Sequence, residues 1–446
     1  ARAALEGPWG QITVAERVDL LYGVANEINR RFEDFLSAEV ADTGKPRSLA
    51  RHLDIPRGAA NFKIFADVVK NVPTEFFEMA TPDGRGALNY AIRRPVGVVA
   101  VVCPWNLPLL LMTWKVGPAL ACGNAVVVKP SEETPQTATL LGEVMNAVGI
   151  PRGVYNVVHG FGPGSAGEFL TTHPGVNAIT FTGETRTGAA IMRAAADGAR
   201  PVSLEMGGKN PAIVFADADL DAAAAGMIFG NFRNAGQACG ATSRLIVEER
   251  AAKPLLERIV ALLQRMRIGD PLSQDTDLGP LISAGQRAAV LGFLREAEGQ
   301  LLCGGEAVPG DGYYVQPTVV AGVDPQSRLW RDEVFGPVLA ARSFPDGDEA
   351  EALRLANDSP FGLTASVYTG DSARGLRLSR RLQAGTVWLG DAYTQPVEGI
   401  WGGYKHSGIG RELGPHGLLD FLEVKQIYSD GIGGARKPHY AQVLGA

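Results

Sequence analysis

Between Pro95 and Asp217 the chain alternates short β-branched runs with helix-like stretches, and this rhythm restricts the fold more than any other feature. PVGVVAVVC, NAVVVKP, GVYNVV, NAITFTG and AIVFAD read as strands. WKVGPALACG and TPQTATLLGEVMNAVG read as helices, the second with threonine at its start and glycine at its stop. Strands separated by helices of about 10–15 residues are βαβ units, and such units build a parallel sheet. From about Asp217 a second α/β series follows: SRLIVEE, a helix through Met266, then GYYVQPTVV, FGPVLAARSF, LTASVYT and GTVWLG. Upstream, Leu20, Leu21, Val24, Ile28, Phe32, Phe35, Leu36 and Val40 recur at three and four, predicting one amphipathic helix from Val14 to Ala41. A second helix is expected from about Ile55 to Val72. Residues 82–95 hold a turn and then alternating residues, the pattern of a protruding hairpin.

Composition narrows the function. The 446 residues carry a net charge of −6, which argues against a nucleic-acid or polybasic membrane binder. Glycine, at 55 residues, exceeds the usual level of roughly 7% and has no collagen-like period, so it belongs in turns and where backbone approaches a ligand. Four scattered cysteines form no disulfide framework, and no Cys or His spacing suits a metal. No apolar run is long enough to span a membrane and no signal peptide is recognisable. A cytoplasmic enzyme is expected. The chain begins already in a helical pattern, which suggests that some N-terminal sequence is missing.

Several residues sit where chemistry is plausible, though each also has a plain reading. Cys239, in FRNAGQACGATSR, lies among small and polar residues with room for an adduct; the alternative is a small buried side chain. Cys103 and Cys122 lie in or beside apolar runs, and Cys303 in a polar turn. Glu205 precedes paired glycines in EMGGK, as a site carboxylate or a solvated turn residue. Asn106 follows a strand, as an oxyanion donor or an Asx-turn before Pro108. Lys129 and Glu132 follow the next strand, where α/β sheets bind ligands, or else occupy a surface loop. FTGETRTG opens a helix after a strand and can present N–H groups to a pyrophosphate, although it does not match GxGxxG.

In order, PWN, KPSEETP, LEMGGK, GQAC, EVFGPV and WGGYKHSGIGRELG resemble the NAD(P)-dependent aldehyde dehydrogenase superfamily over almost the whole chain. The resemblance implies an α/β fold in three parts. These are a Rossmann-like NAD-binding domain (1–76 and 96–207), an α/β catalytic domain (208–422), and a β bridging arm with a C-terminal extension (77–95 and 423–446). It implies Cys239 as nucleophile, Asn106 and the Cys239 N–H as oxyanion donors, and Glu205 as the base for thioester hydrolysis, also beside the cofactor. Lys115 and Glu412 correspond to a pair that passes protons. Lys129 and Glu132 correspond to the adenine-side ribose ligands and Glu333 to the nicotinamide-ribose ligand, with Pro104, Trp105, Gly183, Glu184, Gly188 and Phe335 completing the cofactor site. The base Glu205 points to hydrolysis rather than transfer to CoA. Glu132 disfavours a 2′-phosphate of like sign, so NAD is expected over NADP. No metal is expected. The partners expected are a small aldehyde and further copies of the chain, as a homodimer or homotetramer joined through the arm.

Two substrate signals compete. DIPRGAANF and PWNLPLLLMTWKVGPALACGNAVVVKPSEETP resemble the 2-hydroxymuconic and 2-aminomuconic semialdehyde dehydrogenases, whose substrate carboxylate is held by two arginines. Arg57 matches the first, whereas the loop DAYTQPVEGIWGG has no counterpart of the second. From about residue 226 the chain is more similar to betaine-aldehyde and broad-range members, with Leu107, Trp114 and Trp401 lining the substrate passage. A natural mosaic and an engineered chimera both fit that pattern. A catalytically silent homologue and a reductase of the glutamyl-phosphate type are the remaining alternatives, and Cys239, Glu205 and Glu132 argue against them.

Overall fold

A computed structural model of the chain describes residues 1–81, 86–429 and 443–444. The alternating runs form two sheets. The first has six strands, in the spatial order Gly408–Ile409, Val202–Glu205, Ala178–Thr182, Val98–Val102, Ala125–Lys129 and Tyr155–Val157. All are parallel except Gly408–Ile409, which returns antiparallel against Val202–Glu205. Val98–Val102 is buried throughout, as a central strand covered on both faces must be. From that strand the chain winds first toward Ala125–Lys129 and later back to Ala178–Thr182 on its other side. The sheet therefore has its switch point between Val98–Val102 and Ala178–Thr182, and a crevice opens beyond their C-terminal ends.

The second sheet has seven strands, in the order Gln300–Cys303, Thr318–Ala321, Val338–Phe344, Arg244–Glu248, Pro211–Val214, Thr364–Tyr368 and Thr386–Leu389. Its edge Gln300–Cys303 is antiparallel and the other pairings are parallel. AIVFAD thus belongs to this sheet, and Gly408–Ile409 rejoins the first sheet within the stretch 208–422. A third sheet pairs Phe76–Met79, Ala87–Pro95 and Leu422–Ser429, all antiparallel. These strands flank the expected hairpin, whose turn lies outside the described residues, as does the C-terminal extension apart from 443–444.

Four local expectations need correction. The long helix is two helices, Val14–Arg30 and Phe32–Thr43, broken at Arg31 (φ −96°, ψ 27°). The apolar period runs through the break because Val24, Ile28, Phe35 and Leu36 all enter one core. The side chain of Arg31 is tied at the break to Asp34 (2.9 Å) and Glu143 (2.8 Å). A Thr13–Glu16 capping box starts the first helix, and left-handed Gly44 (φ 68°) ends the second. The helix expected through Val72 closes at Val69. The helix Gln136–Val148 has no threonine cap; Asp42, from a different helix, accepts from the Gln136 N–H at 2.9 Å. Of GYYVQPTVV, only the last residues enter a strand, Thr318–Ala321.

Candidate active site

The crevice at the switch point is a cleft of about 310 Å³. Pro104, Trp105 and Asn106 reach it from the end of Val98–Val102, and Thr182, Gly183 and Glu184 from the end of Ala178–Thr182. The second sheet supplies the opposite wall through Glu333, Val334 and Phe335, and Trp105 meets Phe335 edge-on at 5.2 Å. Glu184 precedes the helix Thr185–Ala196 without capping it through its side chain, so the first N–H groups of that helix lack a side-chain acceptor. The Thr182 hydroxyl is buried in the cleft wall without a hydrogen-bond partner. Such a crevice, with free helix N–H groups and an orphaned hydroxyl, suits a dinucleotide.

Paired glycines bring groups from the two large sheets together. A Cβ on Gly207 would lie 2.2 Å from Glu333 Oε2, and one on Gly208 would lie 2.6 Å from the Cys239 carbonyl oxygen. Through this gap the Gly208 N–H donates to Glu333 Oε1 at 2.9 Å. Burial pushes the Glu333 carboxyl up to about 7.

Cys239 is reached by a loop under backbone strain. Asn234 and Ala235 are left-handed at φ 52°, a conformation that costs non-glycine residues about 1–3 kcal/mol. Amides brace the loop. Asn234 Nδ2 donates to the carbonyl oxygens of Asn106 (3.2 Å) and Gln237 (3.1 Å), and Asn106 Nδ2 donates to the Gln237 carbonyl at 3.1 Å. One amide hydrogen of Asn106 remains for another acceptor. Asn210 Nδ2 holds the Cys239 carbonyl at 2.8 Å.

Cys239 is the cysteine that lines both the cleft and a second, narrower cavity of about 60 Å³. That funnel is walled by Arg57, Leu107, Trp114, Arg233, Tyr393 and Trp401, among others. Acidity does not single the thiol out. Burial pushes Cys239 up to about 12, aided by Glu205 and Glu333 and opposed by hydrogen bonds from Tyr393 and Gly240, and burial raises Cys103 to about 12 as well. Access is what distinguishes it, since Cys103 and Cys122 are buried.

Glu205 ends its strand 2% exposed, and neither carboxylate oxygen makes a well-formed hydrogen bond. Burial, and then the nearby Glu412, hold its carboxyl well above the usual range. Behind it, fully buried Lys115 is ion-paired with Glu412, whose Oε1 also accepts from Thr180 at 3.3 Å.

A model of the aldehyde dehydrogenase family matches residues 1–427. The chain belongs to the aldehyde dehydrogenase family. A 2-hydroxymuconic semialdehyde dehydrogenase of Pseudomonas sp. (strain CF600) is 56% identical over 435 residues, 96% of this chain and 89% of its own. A chloroplastic betaine aldehyde dehydrogenase of Beta vulgaris is 40% identical over 427 residues, 95% of this chain and 85% of its own. Among solved structures, the NAD+ complex of an aldehyde dehydrogenase from Bacillus cereus matches with a TM-score of 0.91 at 37% identity, covering 96% of this chain and 87% of that one. The match to the Pseudomonas dehydrogenase spans both halves of this family member.

Not all expected site residues meet in the cleft. Lys129 and Glu132 lie at the end of the neighbouring strand Ala125–Lys129, where Lys129 Nζ contacts Glu132 Oε2 at 3.2 Å. Gly188 is buried in the helix after the cleft, and a Cβ there would lie 2.4 Å from Met206 Sδ. Sequence reasoning missed Met206 and Gln286. Gln286 Nε2 donates to the Phe335 carbonyl at 2.9 Å and so shapes that wall of the cleft. It also missed Arg233 and Tyr393 in the funnel. Arg57 Nη1 donates to the Gln395 carbonyl, and Asp54, on the preceding turn, binds Lys45 at 3.1 Å.

Proposed function

We propose that this protein oxidises an aldehyde bearing a carboxylate, of the 2-hydroxymuconic semialdehyde type, to the corresponding acid with NAD. The observation that carries the reading is the position of Cys239 at the junction of the switch-point cleft and a funnel whose charged lining residues are both arginines. The Cys239 thiolate attacks the aldehyde carbon. The spare Asn106 amide hydrogen and the Cys239 N–H hold the oxyanion. A nicotinamide dinucleotide held by the cleft residues would supply the hydride acceptor, and loss of hydride from the Cys239 thiohemiacetal leaves a thioester on Cys239. Glu333, fixed by the Gly208 N–H, is set to receive ribose hydroxyls. Glu205, once ionised, takes a proton from water and releases the acid. Lys115 and Glu412 offer that proton an exit. Glu132, a half-exposed carboxylate beside Lys129, opposes a 2′-phosphate and favours NAD over NADP.

Identity to muconic semialdehyde dehydrogenases supports the substrate class, as does the cationic funnel, which disfavours positively charged substrates of the betaine-aldehyde kind. Trp114 and Trp401, 6.1 Å apart, favour a planar or unsaturated chain next to the aldehyde, so neutral aromatic aldehydes are the second substrate class. A homodimer or homotetramer in the cytoplasm completes the reading. Among the described residues Leu422–Ser429 is an edge strand of the third sheet with Val424 62% exposed, and exposed edges of this kind call for a partner. No helix among the described residues is long and apolar enough to cross a membrane. The test is NADH absorbance across a panel of anionic, neutral and cationic aldehydes with NAD and with NADP. Fastest turnover of cationic aldehydes would overturn the substrate class.

A further inference from the structure

Part of one face of the first sheet is polar although it is buried. Successive side chains alternate between faces along Ala178–Thr182 and Val202–Glu205, and the register pairs Thr180 with Ser203 and Thr182 with Glu205. Ile179, Phe181 and Leu204 pack together into an apolar core on one side. Thr180, Thr182, Ser203 and Glu205 therefore share the other side, and all four are buried. Lys115 and Glu412 meet them there, because Thr180 donates to Glu412 Oε1, the oxygen paired with Lys115. A buried polar block of this kind costs stability unless every member is satisfied. It is not. Ser203 Oγ, both Glu205 oxygens, Glu412 Oε2 and Asp420 Oδ2 are buried without a well-formed hydrogen bond.

The run continues toward the surface through Asp420, on the short helix Pro415–Phe421. A Cβ on Gly410 would lie 2.8 Å from Asp420 Oδ2 and 2.8 Å from Ser203 Oγ. The carboxyl and the hydroxyl therefore converge over a glycine, which leaves the space between them open. Gly410 is left-handed (φ 90°), so a larger residue is opposed by its backbone as well as by its neighbours. Burial raises the Asp420 carboxyl, opposed by Ser203, the Arg411 N–H and the charges of Lys115 and Arg411. Asp420 in turn raises Glu412, so the two carboxyls sense each other's charge. Glu205 and Glu412 are buried, whereas Asp420 has one oxygen turned inward and is half-buried as a residue. It is the acid of the three that meets solvent.

We propose that Asp420, reached through Ser203, is the outer proton acceptor through which Glu205 is reset after thioester hydrolysis. The inference rests on the reading of Glu205 as the hydrolytic base. Water adds to the acyl carbon as one of its O–H bonds breaks toward Glu205. The C–S bond then breaks and its electron pair leaves with the Cys239 sulfur. Glu205 now carries a proton that it must lose before the next turnover. The proton passes to Glu412, then along Ser203 and ordered water to Asp420, and from Asp420 to solvent. Under-satisfied buried polar runs are where such water resides. Each transfer moves one proton and no electrons, and water is the sole co-reactant. Asp420 acts through Glu412 and Glu205 and does not touch the substrate.

The experiment mixes enzyme rapidly with NAD and an aldehyde, quenches in acid, and follows decay of the acyl-enzyme by intact mass. The NADH burst reports acylation separately. Wild type, Glu205→Gln, Asp420→Asn and Ser203→Ala are compared in dilute buffer and with added imidazole, in H2O and in D2O. Asp420→Asn should keep the burst and slow acyl-enzyme decay roughly 10- to 100-fold, at or below the low end for a lost proton-transfer group. Imidazole should restore much of that rate, because a diffusible base can take the proton at the surface. The solvent isotope effect on decay should exceed that of wild type. Ser203→Ala should shift all three readouts in the same direction. Wild-type decay in Asp420→Asn, with slow decay in Glu205→Gln, would overturn the relay and leave Glu205 as the base. Wild-type decay in Glu205→Gln would overturn the base, and the relay with it. Slow decay in Asp420→Asn that ignores imidazole and keeps the wild-type isotope effect would mean that Asp420 only props the segment carrying Glu412, and would also overturn the relay. Should Asp420→Asn fail to fold, Ser203→Ala decides alone, and wild-type decay there counts against the proposal.

Discussion

Trp401 and Glu412 exchange backbone hydrogen bonds of 2.8 and 2.7 Å, which locks the funnel wall to the carboxylate paired with Lys115. The substrate side of the site is thereby coupled to the buried charges behind it. Glu412 raises the Glu205 carboxyl and Lys115 lowers it, so the readiness of Glu205 to act as a base depends on that ion pair.

Lys115→Met removes the one group of the pair that favours ionised Glu205. The Glu205 carboxyl should rise further, and the limb of kcat that climbs with pH should move to higher pH. The sign follows from the role: a general base works only when ionised, so a raised value demands a higher pH. Glu205→Gln should abolish that limb and give a burst of about one NADH per active site followed by slow turnover. A pH profile of kcat, with rapid-mixing measurements on Glu205→Gln, checks both. Loss of the burst in Glu205→Gln would place Glu205 before thioester formation.

Cys239→Ala should eliminate aldehyde oxidation while NAD still binds, because the dinucleotide contacts of the cleft come from other residues. Fluorescence titration with NAD and a turnover assay separate the two outcomes. Substantial remaining turnover would shift the chemistry to Cys103 or Cys303, although Cys103 is buried and Cys303 lies on an edge strand of the second sheet.

Strand and helix runs carried the two-sheet architecture, because β-branched runs such as VVAVV state their burial in their composition. Cys239, Glu205 and Asn106 each also had a plain reading, and their motifs pointed to a site only in combination, through the resemblance they carry together. Arg31 was not, because a helix break that keeps the apolar face aligned leaves no mark on the period. The cap of Gln136–Val148 was hidden because its acceptor, Asp42, is distant in sequence. Arg233 was hidden differently. Its neighbours at 234 and 235 adopt left-handed backbone without being glycine, so nothing in FRNAG says which way the arginine points. The relation between Gly207 and Glu333, far apart in sequence, likewise exists only once the chain is folded.

Glu132→Gln removes the carboxylate proposed to meet the adenine-side ribose while keeping its shape. Its current neighbour Lys129 would then be free to meet a phosphate. The ratio of kcat/KM for NADP to that for NAD should rise about tenfold or more, since one like-charge repulsion is removed and one charge-assisted contact becomes available. Steady-state kinetics with both cofactors measure it. An unchanged ratio would mean that Glu132 does not approach the 2′ position.

Lys45 is enclosed with Glu39 and Asp54, each 3.1 Å away, and all three side chains are fully buried. Glu39 Oε2 also accepts from the Leu109 N–H at 3.3 Å, at the start of the helix that follows Asn106. Lys45→Met leaves two carboxyl groups facing each other without a cation, and breaking a buried pair in this way costs about 3–5 kcal/mol. Restoring neutrality with Glu39→Gln and Asp54→Asn should recover much of that loss. Burial holds Glu39 near 7 even with Lys45 present, above its ordinary value, so its contribution to stability is full in acid and is lost as pH rises through about 7. Without Lys45 the carboxyls rise further. At pH 5 the Glu39 carboxyl is largely protonated and the variant's deficit is smaller; at pH 8 folding must either bury charge on the two carboxyls or keep them protonated against the solvent, and the deficit is largest. Urea unfolding of wild type and Lys45→Met at pH 5 and pH 8 measures the difference, and a deficit that shrinks toward pH 8 would contradict this assignment of charges.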